Sequence, residues 1–512
     1  MATFFRVKPL DRLMGESEHA ERGLKRTLGP VQLTALGIGA IMGAGIFSTI
    51  GSASAGGGHH PGAGPAIILS FVLTAIACGF AALCYAEFAA MVPISGSAYT
   101  YSYATLGEVV AWIIGWDLIL EYAVGNVAVA ISWAGYFREL LRGIGIAIPG
   151  WLATDYRTAF ESARQVAELQ AQGGDLTTLA VVVLRSAEAF TQAPQVLGFH
   201  LVFNLPAFLI VMGITWILVV GIRESAMLTG ALTVLNISVL IFFCVVGSRY
   251  VDSANWVPFA PNGWAGISGA AAIIFFAYIG FDAVSTAAEE TRNPQRDMPI
   301  GMIASLVVCT VIYIAVATVL TGMVPSRQLG TAEPLATAFS LLNINWASGI
   351  IAFGAVCATT GVLLVFQLGQ PRIFFSMARD GLLPPWAAKV HPKYRTPHVT
   401  TILTGVVVAV FAGIANINEI VELTNIGTLF AFVLVAIGIL ILRRTNPGHP
   451  RPFRTPLVPF VPLVAVIACA YLMIQLPWVT WVRFVVWLGI GIVFYYLYGF
   501  RHSHLRPGAG SH

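Results

Sequence analysis

The stretch Gly37-Ile38-Gly39-Ala40-Ile41-Met42-Gly43-Ala44-Gly45-Ile46-Phe47 decides how this chain is read. It lies within an apolar run (31–55), and a bilayer core of ~30 Å needs about 20 such residues per helix. Gly37, Gly39, Gly43 and Gly45 fall inside that run. Each is roughly 1 kcal/mol less favourable than Ala in a helix, so the spacing predicts a break. Unwound backbone at membrane depth is tolerated only where it lines a cavity or is buried in protein. Close helix packing through small residues is the competing explanation. A dinucleotide loop is excluded: the spacing is G-x-G-x-x-x-G, no strand precedes it, and it sits in a span.

The composition agrees. Of 512 residues, 57% are hydrophobic and 10% charged, against about 25% charged in a soluble domain. A water-soluble globule of this length has no core large enough for that apolar content. A soluble enzyme, a disordered chain and a nucleic-acid binder are excluded. The expected fold is an all-α integral membrane protein with twelve transmembrane helices embedded in the lipid bilayer. The runs are 31–55, 65–92, 109–137, 205–222, 228–248, 267–288, 300–324, 346–376, 400–415, 425–442, 457–476 and 480–499. A β-barrel is excluded because they are continuously apolar.

A second interruption is Phe275-Phe276-Ala277-Tyr278-Ile279-Gly280-Phe281-Asp282, with an acid in mid-span. Spans one and six are five helices apart. That predicts a five-plus-five inverted repeat with discontinuous helices 1 and 6, plus two C-terminal helices. Half-helix N-termini offer N–H donors to a carboxylate, and freed carbonyls offer acceptors to an ammonium. Together they suit a zwitterionic α-amino acid. The expected divisions are an N-terminal tail (1–30), a first repeat (31–248) with a long outer insert (138–204), a second repeat (249–442), the last two spans (443–500) and a C-terminal tail (501–512).

Basic residues orient the chain. Arg6, Lys8, Arg12, Arg22, Lys25 and Arg26 occupy the tail, and Arg223, Arg292, Arg296, Arg372, Arg379, Lys389, Lys393, Arg395, Arg443, Arg444, Arg451, Arg454, Arg501 and Arg506 fall on the same side. Both termini are therefore expected in the cytoplasm, with the first span directing insertion and no cleaved signal peptide. Most opposing basic residues lie in the insert. There, Asp155 to Gln172 reads as one amphipathic helix, and Asp175 can cap a second that ends before Pro194. Cys78, Cys84, Cys244, Cys309, Cys357 and Cys469 read as buried small hydrophobes, neither disulfide framework nor metal site. The pair His59-His60 reads as solvated loop.

Acids inside spans are functional candidates. Asp117 and Glu121 are four apart and share a helix face, Glu121 reading as a substrate or gate contact and Asp117 as structural. Glu87 is expected to hold helices together near the inner gate. Asp282 follows the second break and can cap the next half-helix, and Glu289-Glu290 read as a solvated helix end.

Several motifs are specific. They are GIGAIMGAGIF (37–47), YAEFAAMVPISGSAYTYSY (85–103), GWDLILEY (115–122), FFAYIGFDAVSTAAEETRNPQRDMPIG (275–301) and MARDGLLPPWAAKVHPKYRTP (377–397). From about Thr27 to Arg501 the chain resembles the amino acid–polyamine–organocation superfamily, and within it the cationic amino acid transporters. The resemblance implies a substrate carboxylate on the N–H groups of Ala44 and Gly45, beside Gly43. It implies an ammonium on the carbonyls of Ile41, Phe276, Ala277 and Ile279, with Phe276 as an aromatic lid. Glu121 matches an acid that in cationic relatives faces the side-chain charge. Proton-coupled bacterial relatives carry a lysine in the fifth helix where Asn236 stands here. Asn does not titrate, so proton coupling through that position is excluded. Coupling through Glu121 is left open.

The expected activity is movement of L-amino acids, cationic or of broad specificity, by alternating access. A proton-coupled symporter of small neutral amino acids is the alternative, and an amino acid/polyamine exchanger ranks lower. A channel wants a continuous polar stripe, and only isolated polar residues are present. An intramembrane enzyme needs a catalytic cluster within the spans, and all ten histidines lie in loops or tails. No ATP-binding loop is present, and no cofactor or metal is expected.

Overall fold

The computed structural model describes residues 28–57, 60–91, 97–176, 179, 181–196, 198–220, 226–394 and 396–505. The basic tail up to Arg26, His59, Arg223, Arg395 and the residues from Arg506 onward lie outside the described residues. So do the side chains of Glu289 and Glu290.

Helix α1 (Pro30–Ile41) opens with Pro30 at its first position, where a missing N–H costs nothing. The Gly29 N–H donates to Gln32 Oε1 at 3.1 Å. After the glycine run the chain resumes as a π-type turn (Gly45–Thr49) and α2 (Ile50–Ala55). The two halves are bent by 40°, so the expected break is present.

Helix α3 (Ile67–Met91) leads to the short α4 (Ser97–Thr105) and then to α5 (Glu108–Gly143). At 36 residues, α5 is about 54 Å long and overshoots the bilayer core. In the insert, α6 (Tyr156–Ala171) matches the expected helix, and its N-cap Asp155 accepts from the Thr158 N–H at 2.8 Å. Helix α7 (Val181–Thr191) begins six residues beyond Asp175, so Asp175 does not stand at its N-cap. Strands β1 (Gln195–Val196) and β2 (Phe199–His200) form a minimal antiparallel hairpin.

The chain continues through α8 (Leu205–Val220), α9 (Ala226–Gly247) and α10 (Gly263–Ile274). The last passes into 3-10 turns at Phe275–Tyr278 and Asp282–Glu290. Then follow α11 (Pro294–Met323), α12 (Pro334–Leu341), α13 (Asn345–Arg379), α14 (His398–Ile414), α15 (Ile417–Thr445), α16 (Phe460–Ile474) and α17 (Trp478–Phe494).

Among the described residues, 7 helices are individually long and apolar enough to cross a membrane, and the bent first pair makes an eighth. Four apolar helices are shorter: Leu205–Val220, Gly263–Tyr278, His398–Ile414 and Phe460–Ile474. The architecture is thus almost entirely helical, as expected. Helices α4 and α12 were not anticipated, because counting apolar runs finds only membrane-length segments.

Helix α5 packs along α13 and α15, while α11 packs against α1 and α3. The bundle is apolar outside as well as inside: Val234, Val311, Ile467 and Val485 are all more than half exposed. A helix apolar on every face is what contact with lipid requires. Two cysteines depart from expectation. Cys244 and Cys357 are only half-buried, because they lie on faces turned partly away from neighbouring helices. All six are free thiols.

Candidate functional site

At the first break Met42 leaves the helix with ψ +82°. The Gly43 N–H donates to the Ile41 carbonyl at 2.9 Å. The second half-helix then starts at Ala44 and Gly45, and opening N–H groups have no partner four residues back. At the second break Ile279 is extended (ψ +134°) and Gly280 has φ +117°. That φ is left-handed backbone, which a side chain resists.

The two breaks interlock. A Cβ on Gly45 would lie 2.2 Å from the Ala277 Cα, and one on Gly280 would lie 2.7 Å from the Ala40 carbonyl oxygen. Each broken segment uses a glycine to approach the other's backbone. Gly43 lies against Val362 of α13, whose Cγ2 is 2.9 Å from where its Cβ would stand. Ile41, Ala44, Phe276, Ala277 and Ile279 are all buried. The structure therefore brings the expected backbone groups into one place between the half-helices.

The carbonyls are not equally free. Besides the Gly43 N–H, the Ile41 carbonyl accepts from the Tyr313 hydroxyl at 3.0 Å. Both its lone pairs are used, leaving none for an ammonium in this conformation. Asn425 Nδ2 donates to the carbonyls of Ala272 (2.7 Å) and Ile273 (3.0 Å), just before the second break. The Tyr136 hydroxyl donates to the Phe47 carbonyl. Tyr313, Asn425 and Tyr136 were not anticipated. Their signal was a hydrogen-bonding side chain within a long apolar run, which says that a partner exists without saying where.

Glu121 on α5 has Asp282 and Asp117 as its charged neighbours and the Thr428 hydroxyl beside it. Asp117 is fully buried, neither carboxyl oxygen has a hydrogen-bond partner among the described residues, and its Oδ1 lies over Gly427 of α15. Asp282 does not cap the next half-helix: Phe281 holds the N-cap position and no side-chain cap forms. Asn236 on α9 is buried, and its Oδ1 has no hydrogen-bond partner among the described residues. From the same helix, the Thr233 hydroxyl donates to the Ala35 carbonyl of α1 at 3.0 Å.

Glu87 differs. It is fully buried and accepts from Arg443 Nε (2.9 Å), Arg443 Nη2 (2.8 Å) and the Thr455 N–H (2.7 Å), with Arg451 Nε at 3.3 Å. It ties α3 to the end of α15 and the loop beyond. No group of three or more metal-ligating side chains occurs among the described residues.

Residues 28–500 match the family described as amino acid permease. The chain is 45% identical over 504 residues to the branched-chain amino acid permease BcaP of Bacillus subtilis (strain 168), covering 98% of this chain and 99% of that one. It is 42% identical over 506 residues to the methylthioribose transporter of the same organism, covering 99% and 100%. It is 34% identical over 453 residues to the vacuolar cationic amino acid transporter 4 of Arabidopsis thaliana, covering 87% and 68%. These relatives are named as permeases and transporters, not as enzymes. With apolar helices of membrane length and similarity over nearly its whole length, the chain belongs to the amino acid permease family of multi-pass membrane proteins, within the amino acid–polyamine–organocation superfamily.

Proposed function

We propose that this protein moves L-α-amino acids across the cell membrane by alternating access, without ATP and with both termini in the cytoplasm. In this reading the bent first pair and the four shorter apolar helices complete twelve spans. Residues 31–248 and 249–442 form the two repeats, and 443–500 add the last two spans. One observation carries the reading: two broken half-helices meet backbone to backbone at Gly45–Ala277 and Gly280–Ala40. Backbone donors and acceptors of this kind suit a zwitterion at membrane depth. The α-carboxylate goes to the N–H groups of Ala44 and Gly45. The ammonium goes to the carbonyls of Phe276, Ala277 and Ile279, with Ile41 joining only if Tyr313 releases it.

For the substrate side chain, Ile41, Val362, Phe276 and Ile279 make the surroundings apolar. A branched aliphatic side chain suits them, in line with the 45% identity to a branched-chain permease. Glu121 supports a second reading, a cationic side chain held by its carboxylate. Purified protein in liposomes is expected to take up leucine, isoleucine, valine, arginine or lysine saturably. Methylthioribose belongs in the same panel. Failure of every amino acid would overturn the proposal, and uptake of methylthioribose alone would replace its substrate.

A further inference from the structure

Helix α5 runs from Glu108 to the insert, so Glu108 marks the end of the bundle opposite the insert. In the orientation proposed above, that end is cytoplasmic. There α4 packs on α5, on α15 and on the 3-10 turn Asp282–Glu290 that follows the second break. Tyr101 of α4 stands beside Ser285 of that turn. Tyr99 and Tyr103 are four apart and share another use of the helix. The Tyr99 hydroxyl donates to Oδ2 of Asp380, the C-cap of α13, at 2.7 Å. The Tyr103 hydroxyl donates to Glu108 Oε2 at 3.3 Å. Two carboxylates thus hold α4 in place against the turn.

The segment that follows α17 holds the same two residues. Ser503 is buried and donates its hydroxyl to Glu108 Oε2 at 2.5 Å. The His504 N–H donates to the Asp380 carbonyl at 3.2 Å. Next to Asp380, Gly381 has φ +79°, and a Cβ there would lie 2.3 Å from the His502 carbonyl oxygen. Only a glycine lets the segment seat that closely. The bonds at this seat differ from those at Glu87. Glu108 is buried and accepts from three hydroxyls, those of Tyr103, Ser503 and, at 2.8 Å, Tyr495. Water can replace a hydroxyl on a carboxylate when a site opens, whereas parting a buried ion pair strands charge. A seat of this kind can be made and broken within a cycle.

We propose that residues 500–505 are a latch on this end of the bundle. Seated on Glu108 and Asp380, the segment fixes the two anchors of α4 and so keeps α4 against the turn Asp282–Glu290. It unseats when the site between the breaks opens towards the cytoplasm. The inference rests on the alternating access proposed above.

Amide hydrogen exchange, which reads local opening, tests the latch without substrate. The full chain is compared with a variant lacking residues 503–512 and with the milder Ser503→Ala. Both variants are expected to exchange several-fold faster in α4 and in the turn Asp282–Glu290, while α6 and α12 keep native rates. Faster exchange confined to residues 495–505 and α4 would make the seat packing alone and overturn the latch. Native rates in the shortened chain would overturn it as well, and native rates in Ser503→Ala would overturn Glu108 as its seat. Faster exchange throughout, with a lower melting temperature, would show that the segment holds the whole fold, which also overturns the latch. Uptake by the native chain tests transport separately, since the exchange is read with no substrate present.

Discussion

Two buried carboxyl groups divide the molecule. Glu87 and Asp117 are both fully buried within the bundle. Glu87 has two arginines and a backbone N–H around it, whereas Asp117 has no hydrogen-bond partner among the described residues. Burying a charge is costly unless it is paired and hydrogen-bonded. The Glu87 clamp meets that requirement and is built to stay. Among the described residues, the centre leaves the Asp117 carboxyl and the Asn236 Oδ1 without hydrogen-bond partners, and Glu121 has two other acids as charged neighbours. Such an arrangement has capacity for a ligand or a proton that the fold does not itself supply. One region holds the helices, and the other is held by them.

The largest expected effect lies at the clamp. Glu87→Gln leaves Arg451, almost fully buried, without its carboxylate. Breaking a buried pair from one side costs about 3–5 kcal/mol. Purified variant should melt at clearly lower temperature, and uptake should fall only in proportion to folded protein. Asp117→Asn removes no hydrogen bond and should leave the melting temperature unchanged or higher. Equal melting shifts in the two variants would erase the distinction between the regions.

Gly45→Val comes next. Its Cβ would lie 2.2 Å from the Ala277 Cα, and contacts that short force a backbone shift. Overpacking costs about 1–3 kcal/mol, which a bundle of this size tolerates. The half-helices would be pushed apart, so uptake should fall at least about a hundredfold, equivalent to about 2.7 kcal/mol. Near-native uptake with native melting would show that the meeting of the breaks is packing alone.

How much of this was legible in the sequence follows the same division. Both breaks announced themselves, since glycines and an acid stand out in an apolar run. The spans did too, because lipid imposes a length and a composition. What stayed hidden was pairing across the bundle. Glu87 was expected to hold helices together, yet its partners Arg443 and Thr455 lie more than 350 residues away. Tyr313 on the Ile41 carbonyl and Asn425 on the Ala272 carbonyl were hidden for the same reason. Asp282 was misread because capping was inferred from order along the chain, whereas the 3-10 turn begins at that residue. Asp117 reads as structural from its helix face, whereas the lack of hydrogen-bond partners for its oxygens among the described residues depends on packing across the bundle.

Glu121 sharpens the comparison from the central side. A carboxylate facing substrate matters to a cation and little to a neutral side chain, and truncating one partner of a buried charge pair costs about 2–5 kcal/mol. In Glu121→Gln, arginine uptake should fall at least about tenfold more than leucine uptake. Equal losses would place Glu121 with Glu87 as a holding group. Undiminished uptake of both would remove it from the site.

The smallest expected effect concerns Asn236, and it decides what kind of transporter this is. Its Oδ1 is buried and has no hydrogen-bond partner among the described residues, but an amide has no second protonation state with which to follow a proton gradient. A neutral amino acid should therefore equilibrate at clamped zero potential whether or not an inward proton gradient is applied. The expected difference in accumulation is less than about twofold, on the order of 0.4 kcal/mol. A cationic substrate would still respond to membrane potential, since it carries its own charge. Accumulation of the neutral substrate driven several-fold by the gradient would contradict transport uncoupled from protons. The proton would then have to be carried by a group that titrates, and Glu121 and Asp117 lie beside the breaks. Asp117→Asn and Glu121→Gln separate these two, because only the carrier's replacement should abolish the gradient's effect while leaving downhill exchange intact. If the gradient has no effect, Asn236→Lys is the converse test. A lysine there can alternate between charged and neutral forms as burial lowers its pKa. Its longer side chain enters where an unpartnered oxygen now stands, and the variant should gain a pH dependence that the native protein lacks.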